Sequence, residues 1–293
     1  MKQLLRFSIL LLALILPATA TAYDFEVDGI YYNINGNEAT VTYNSSLIAY
    51  SGFVVIPATV TYNGTTYQVT AIGDEAFCSC DGLTSVVIPN SVTSIGFRAF
   101  ANCVGLTSVT IPNSVAAFGD EAFWGCLRLT GIVIPNSITS ISKEAFSGCS
   151  GLTSIVIPNS VTAIGDKAFW GCVGLTDVYC YIADLSRVSS GDEQFYSYDW
   201  GYSRRTLHVL QGTADAYHAD KNWYPYFGRI VEDIFLVDVN GDREVNIADV
   251  NVAIDMILGG SGNTSAADVN RDGEINIADI NAVIDIILSG TGN

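Results

Sequence analysis

Apolar residues recur at a fixed spacing through the middle of the chain. Phenylalanine, cysteine and leucine each return at every 23rd position between Phe77 and Leu175. The recurring residues are Phe77, Phe100, Phe123, Phe146 and Phe169, then Cys80, Cys103, Cys126, Cys149 and Cys172, then Leu83, Leu106, Leu129, Leu152 and Leu175. Because one such unit can bury its apolar side only against its neighbours, this period predicts a solenoid of five stacked repeats over residues 69–179.

Each unit has the pattern of two short strands and a turn. Leu106, Val109 and Ile111 have the spacing of the inward side of a strand. Pro112 then ends that strand, because proline has no N–H to give to a β-ladder. A second inward pair begins at Val115 and leads into the turn. The unit therefore predicts strands stacked in parallel along the solenoid.

The repeated pattern Val-Thr-x-Ile-Gly-x-x-Ala-Phe-x-x-Cys-x-x-Leu-Thr-x-Val-x-Ile-Pro resembles the BspA-like leucine-rich repeat. The resemblance runs from Val69 to about Tyr179. It implies a secreted bacterial repeat protein that is used for adhesion or binding and not for catalysis. Neither His208 nor His218 has a nearby Ser or Cys in a nucleophile motif, so the residues themselves give no reason to predict an enzyme.

The cysteines have two interpretations. Seven is an odd number, so complete pairing within one chain is excluded. Five of them occupy one repeat position, where small apolar thiols would form a buried ladder. Adjacent rungs are also close enough for disulfides in principle. We favour free buried thiols without redox or metal chemistry.

The outward strand positions are mostly small and polar. They carry Thr84-Ser85, Thr107-Ser108, Thr130, Thr153-Ser154 and Thr176-Asp177, with Val87, Thr110, Val133 and Val156 facing the same way. One interpretation is a flat surface that binds a protein or a glycan. The other is that β-branched side chains are present because they suit strands. None of these residues is bulky enough to predict a binding hot spot, which favours the second interpretation.

The open N-terminal end of a solenoid needs a cover. Residues 23–68 predict an N-terminal cap built from β-hairpins. Asn35-Gly36 and Asn63-Gly64 mark its turns, because both dipeptides suit two-residue hairpin loops.

Residues 180–235 break the period and predict a C-terminal cap. A strand is expected over residues 206–210 and a helix over residues 213–222. Ten aromatic residues fall within residues 195–227, and Arg205 lies in the same stretch. They predict either the packed interior of the cap, which we favour, or a recognition patch.

Residues 1–22 have the features of a secretory signal peptide. Lys2 and Arg6 precede an apolar run from Phe7 to Leu16, and a stretch of small residues ends at Ala22. The alternative, a membrane anchor, needs a longer apolar run. We therefore expect cleavage after Ala22, export, and no membrane insertion of the mature protein.

The charge balance restricts the partners. The chain has 13 basic and 30 acidic residues, and removal of residues 1–22 leaves 11 basic residues against the same 30 acids. Nucleic acid and anionic lipid both need a basic face on the protein, so neither is expected as a partner. The acidity favours cations or basic partners.

Two matched acidic loops lie near the C-terminus. Residues 238–249 and 268–279 are identical at nine of twelve positions. Both have oxygen-bearing residues at the spacing of an EF-hand calcium loop, which a solvated acidic surface does not explain. The loops therefore predict two Ca²⁺ sites and poor order without the ion. The predicted ligands are Asp238, Asn240, Asp242, Glu244, Asn246, Asp249, Asp268, Asn270, Asp272, Glu274, Asn276 and Asp279.

One loop position differs between the two copies. The sixth residue is Gly273 in the second loop but Arg243 in the first. Glycine suits the sharp turn at this position, so the first site is predicted to bind calcium more weakly.

Each loop leads into an apolar stripe at helical spacing, formed by Val250, Ile254, Ile257 and Leu258 and by Ile280, Ile284, Ile287 and Leu288. Two loop-helix units without the usual preceding helix resemble the type I dockerin over about residues 236–293. The resemblance implies docking onto a cohesin domain, with two near-identical halves that offer equivalent orientations. It places partner contacts at Ile247, Ala248, Asn251, Asp255, Ile277, Ala278, Asn281 and Asp285.

The sequence thus predicts an α+β chain in which a leucine-rich-repeat solenoid precedes a small α-helical calcium-loop domain. The expected order is signal peptide 1–22, N-terminal β cap 23–68, repeats 69–179, C-terminal cap 180–235 and dockerin-like domain 236–293. The expected function is non-catalytic binding or adhesion. The calcium-dependent module would dock to a cohesin-type or cell-surface protein, and the solenoid would face a host or matrix protein or a glycan. The alternative is a calcium-stabilised structural surface protein without a cohesin partner.

Overall fold

The structure is a computed structural model. It describes residues 23–43, 50–197, 204–210 and 212–234, together with the shorter pieces 250–252, 254, 280–281 and 284. The predicted signal peptide and both predicted calcium loops lie outside the described residues. What is described consists mostly of short β-strands with a few helical turns, as a repeat solenoid requires.

The N-terminal strands form hairpins. Their bounds are β1 Phe25–Val27, β2 Ile30–Asn35, β3 Glu38–Thr42, β4 Gly52–Val55, β5 Thr59–Tyr62 and β6 Thr65–Ile72. β1 pairs with β2, β2 with β3 and β5 with β6, all antiparallel. Between β5 and β6, Asn63 and Gly64 have φ angles of 48° and 78°, the left-handed pair whose twist matches that of the strands. The second hairpin has the predicted turn, whereas the turn of the first lies one residue later than predicted, at Gly36-Asn37, because Asn35 still pairs with Glu38.

Two sets of parallel strands run along the solenoid. The first continues from β6 with β8 Ser94–Ile95, β10 Ala117–Phe118, β11 Ser140–Ile141, β13 Ala163–Ile164 and β15 Ser189–Ser190. The second joins β4 to β7 Leu83–Val87, β9 Ser108–Thr110, β12 Ser154–Ile157, β14 Asp177–Cys180, β16 Thr206–Leu210 and β17 Arg229–Ile234. Val133 bridges Thr110 of β9 and Val156 of β12. The second set, here called the long sheet, therefore runs continuously from β4 to β17.

The core is a column of parallel aromatic rings. The five phenylalanines that share a repeat position stack in order, with ring centroids 4.9 to 5.4 Å apart and planes within 6° of parallel. Phe195 continues the column 5.1 Å from Phe169. The step from Phe169 to Phe195 is longer than the repeat period, so a strict period misses a sixth unit that the structure adds.

The repeat cysteines form a second column inside the solenoid. Each thiol from Cys103 to Cys172 donates to the carbonyl of a phenylalanine in an earlier unit, at 3.0 to 3.2 Å. All seven cysteines are free thiols. Burial raises the pKa of Cys80 to about 11 and that of Cys172 to about 12. These two thiols therefore stay protonated at neutral pH.

The turns of neighbouring units approach each other at a recurring glycine position. A Cβ on Gly165 would lie 2.6 Å from the backbone nitrogen of Lys143, and one on Gly119 would lie 2.5 Å from that of Phe97. Ser142 occupies this position in one unit, and there β10 and β11 are not paired. The Ser142 hydroxyl instead donates to the Phe118 carbonyl of the preceding unit at 2.5 Å, so the contact between these two units is made by a side chain.

We expect Gly165→Ala to destabilise the solenoid by about 1–3 kcal/mol, because the added methyl must displace backbone of the preceding turn. Gly131→Ala is the matched control, since a Cβ there has nothing within 4 Å. The control should change the free energy of unfolding by less than about 0.5 kcal/mol. Denaturant unfolding of both variants measures this, and equal stabilities would show that the turns separate without cost.

The C-terminal end covers the last ring of the column. It contains helix α1, Ala214–Ala219, and single 3₁₀ turns at Leu185–Arg187 and Tyr224–Tyr226. The rings of Trp223 and Phe227 lie 5.4 and 5.1 Å from that of Phe195, and all three are buried. These three aromatic residues therefore form packed interior, whereas Tyr224 from the same group is 54% exposed.

The helix predicted for this end was wrong in extent. The helix expected over residues 213–222 is shorter, because Asp220 leaves helical geometry with ψ of 120° and accepts a hydrogen bond from the Asn222 N–H. The strand at residues 206–210 is confirmed as β16.

Arg205 is a buried cation at the same end. Its guanidinium donates to the carbonyls of Cys172 at 3.0 Å and Leu175 at 3.3 Å, and to that of Phe195. It also donates to the hydroxyl of Ser197 at 3.2 Å. Arg205 thus supplies hydrogen-bond donors to backbone carbonyls beyond Cys172, the last thiol of the column. Because the side chain of Arg205 is buried, it is not available to a binding partner.

Candidate binding surfaces

The outer side of the long sheet carries one continuous row of side chains. The strand register places these residues side by side: Val55, Val87, Thr110, Val133, Val156, Tyr179, His208 and Val231. Val87 is 43% exposed and Val133 is 48% exposed. The four residues predicted to face outward together, Val87 to Val156, therefore lie in one row.

The threonines beside this row have a structural role. The hydroxyls of Thr107, Thr130 and Thr153 each donate to the backbone carbonyl of the threonine one unit earlier, at 3.1 to 3.4 Å. These hydroxyl groups therefore satisfy backbone carbonyls of the neighbouring unit. This supports the interpretation that these residues suit the strands over the interpretation that they form a polar binding surface.

The repeat pattern does not predict the most exposed apolar side chains of this face. Phe53 is 63% exposed and Val55 is 53% exposed, and both lie on β4 at the end of the long sheet. A signal was present, because Val54-Val55-Ile56-Pro57 repeats the Val-Val-Ile-Pro of residues 86–89. The offset between these two copies differs from the repeat period, so a search at that period does not find the first copy.

A cavity of about 440 Å³ adjoins β4. Its walls come from the turn between β1 and β2 and from the segment 50–57. The Tyr50 hydroxyl accepts from the Tyr31 N–H at 3.1 Å and donates to the Thr42 carbonyl at 2.7 Å, which fixes one wall. The Tyr50 ring also lies 4.6 Å from the ring of Phe77, so this wall continues into the core.

The outward row becomes polar at Tyr179 and His208, before it ends at Val231. The ring nitrogen Nε2 of His208 lies 3.1 Å from the Asp177 carboxylate, and the imidazole stacks on Tyr179 with centroids 4.3 Å apart. The Thr176 hydroxyl donates to the same carboxylate at 2.6 Å. That hydroxyl and then the imidazole hold the pKa of Asp177 below its usual value. This arrangement joins the side chains of the neighbouring strands β14 and β16.

All twelve predicted calcium ligands lie outside the described residues. Residues 250 and 280, which follow the twelfth loop positions in the sequence, are described and are helical. Val250 and Ile280 are both buried, as their apolar stripes require. The oxygen-bearing residues at alternate positions of both loop sequences are the ligand types that a hard cation such as Ca²⁺ takes.

Two of the predicted partner contacts are described. Asn251 and Asn281 are helical and exposed, one residue after the buried Val250 and Ile280. The equivalent placement of the two asparagines matches the internal repeat. Ile247, Ala248, Asp255, Ile277, Ala278 and Asp285 lie outside the described residues.

Within the part of the chain that the structure describes, no three His, Cys, Asp or Glu residues are grouped to hold a metal ion. None of the helices described there combines the length and the apolar character needed to cross a membrane.

Comparison with known families divides the chain in two. Residues 70–196 match the BspA type Leucine rich repeat region in six copies, and residues 236–288 match the Dockerin type I domain. Six copies agree with the six stacked rings. No curated protein matches the chain.

Several solved structures are similar to the repeats. A leucine rich cell surface protein from Faecalibacterium prausnitzii A2-165 is 31% identical with a TM-score of 0.47, over 63% of this chain and 54% of that one. This chain therefore spans about half the length of that protein. The Leucine Rich Repeat protein of T. pallidum is 27% identical with a TM-score of 0.48, over 59% and 85%. A leucine-rich repeat protein from Bacteroides capillosus ATCC 29799 is 32% identical with a TM-score of 0.35, over 53% and 96%.

Proposed function

Because this chain carries a BspA-type leucine-rich repeat region followed by a dockerin type I domain, we propose that it is an exported, non-catalytic binding protein. Its solenoid recognises a ligand, and its C-terminal module docks onto a cohesin-type domain of another protein or of the cell surface. Export rests on the signal-peptide features of residues 1–22.

The matched loops carry this proposal. Residues 238–249 and 268–279 fall within the dockerin match and have the same oxygen donors at the same positions. Asp238, Asn240, Asp242 and Asp249 hold one Ca²⁺ through side chains, Glu244 through its carbonyl and Asn246 through water; residues 268–279 hold the second in the same way. Bound calcium offsets the repulsion between the clustered carboxylates, so the module folds with the ion.

The helix faces present the docking contacts. The two exposed asparagines, Asn251 and Asn281, sit at equivalent points of the two halves. Together with Asp255 and Asp285 and the loop residues Ile247, Ala248, Ile277 and Ala278, they form two similar surfaces. A cohesin can therefore engage either half.

The second candidate is a calcium-stabilised structural surface protein that has no cohesin partner. The observation in its favour is that loop positions 10 and 11 are Ile-Ala in both halves, without the hydroxyls common in cellulosomal relatives.

A pull-down of type I cohesins by the full chain separates the two functions. Docking predicts capture in calcium and release in EGTA, with the same loss when Asp238 and Asp268 are both changed to alanine. Calcium-dependent folding of the module without capture of any cohesin would favour the structural alternative.

Arg243→Gly is expected to tighten the first calcium site by several-fold, because glycine relieves the sharp turn at loop position six. Isothermal titration of the full chain with Ca²⁺ measures this, with the exposed Arg128→Gly as the control. Unchanged affinity in both variants would show that Arg243 adopts the turn without strain.

A further inference from the structure

The free edge of the long sheet lies at β4. Among the described strands, β4 pairs only with β7. The Ile56 N–H donates to the Val87 carbonyl at 3.0 Å, so even-numbered residues of β4 direct their backbone groups toward β7. The N–H and C=O groups of Phe53 and Val55 therefore point away from β7, as an unpaired edge that an added strand can use.

The cavity lies along that edge. None of its lining residues comes from β7, and Tyr31, Tyr50 and Ile30 give it apolar walls. Phe53 and Val55 stand at its mouth with more than half of their surface exposed. An extended chain paired with β4 would therefore place one of its alternate side chains in the cavity.

The charge around this site has one sign. Residues 23–97 contain seven acids and no lysine or arginine. Asp28 is the charged residue among those that line the cavity. A segment with basic side chains would therefore be favoured over an acidic one.

We propose that β4 and its cavity bind an extended segment of another polypeptide, with an apolar side chain in the cavity and a basic side chain near Asp28. The inference rests on the proposed binding function of the solenoid and assigns that function a site and a class of ligand. The backbone of the segment extends the long sheet, and its side chains set the specificity. The site contains no predicted calcium ligand, so its binding does not depend on calcium.

The test uses a short fluorescent peptide that alternates valine and lysine, titrated into the full chain and followed by anisotropy. Phe53→Ser should weaken binding at least about tenfold, the loss expected of an aromatic anchor. Leu127→Ser, which removes a comparably exposed side chain elsewhere, should leave binding unchanged. Asp28→Asn should weaken binding of the lysine peptide several-fold, because asparagine keeps the left-handed turn at φ of 51° while removing the charge.

The control is the same valine–lysine peptide with N-methyl groups on alternate backbone nitrogens. It keeps the lysine charges but loses the backbone N–H donors along one edge of the extended peptide. It should bind at least about tenfold more weakly if the backbone pairs with β4. Equal binding of the methylated peptide, or of Phe53→Ser and wild type, would overturn the proposal. Self-association of the chain through β4, without peptide binding, would overturn it as well.

EGTA distinguishes this site from the docking module. Peptide binding should persist in EGTA, whereas cohesin capture should be lost. Loss of peptide binding with intact calcium-dependent docking refutes the site at β4 alone. Peptide binding without any cohesin capture refutes docking alone.

Discussion

Phe123→Ala is expected to destabilise the solenoid by about 3–5 kcal/mol, the range for a large aromatic removed from a packed core. Phe123 lies in the middle of the column, with Phe100 and Phe146 stacked 5.2 and 5.4 Å away on either side. Its loss leaves a cavity between two units that depend on each other for burial. Chemical denaturation followed by tryptophan fluorescence measures the change.

Phe53→Ala is the matched control, because the same side chain is removed from an exposed position. Its effect on the free energy of unfolding should stay within about 0.5 kcal/mol. If both variants lost equal stability, the ring column would not be the element that holds the units together.

Arg205→Met is expected to cost about 2–5 kcal/mol, since it leaves several buried carbonyls without donors. Methionine fills similar volume, so the loss reports the hydrogen bonds to Cys172, Leu175 and Phe195 more than the packing. Thermal unfolding and near-ultraviolet circular dichroism of the cap aromatics follow the change.

Arg128→Met serves as the control, because Arg128 is exposed in a repeat turn. A change within about 0.5 kcal/mol is expected there. Similar losses in the two variants would mean that Arg205 acts through net charge and not through its buried donors.

The sequence alone predicts the repeats well, because each unit must bury its apolar side against the next and therefore repeats the same residues at a fixed spacing. Each ring stacks on its copy in the next unit, so the period appears directly in Phe77 to Phe169. The hairpin at Asn63-Gly64 is equally local, because two left-handed residues determine it.

The ends of the solenoid were harder to predict because they depart from the period. Phe195 joins the column later in the chain than the period predicts, and β4 joins the long sheet at an offset that the period does not contain. The role of Arg205 depends on residues far apart in sequence, which no local pattern contains. For the same reason the cavity beside β4 was not foreseen, since it lies between a hairpin turn and a strand that follows two further strands along the chain.

Cohesin binding by this chain should require calcium, because the proposed docking surface folds only around the ion. Surface plasmon resonance measures the affinity of a type I cohesin for the full chain in calcium and in EGTA. We expect binding in calcium that is lost in EGTA and in the Asp238→Ala/Asp268→Ala variant, while Leu127→Ser binds as wild type. Equal cohesin binding in calcium and in EGTA would show that docking does not depend on calcium-driven folding of the module.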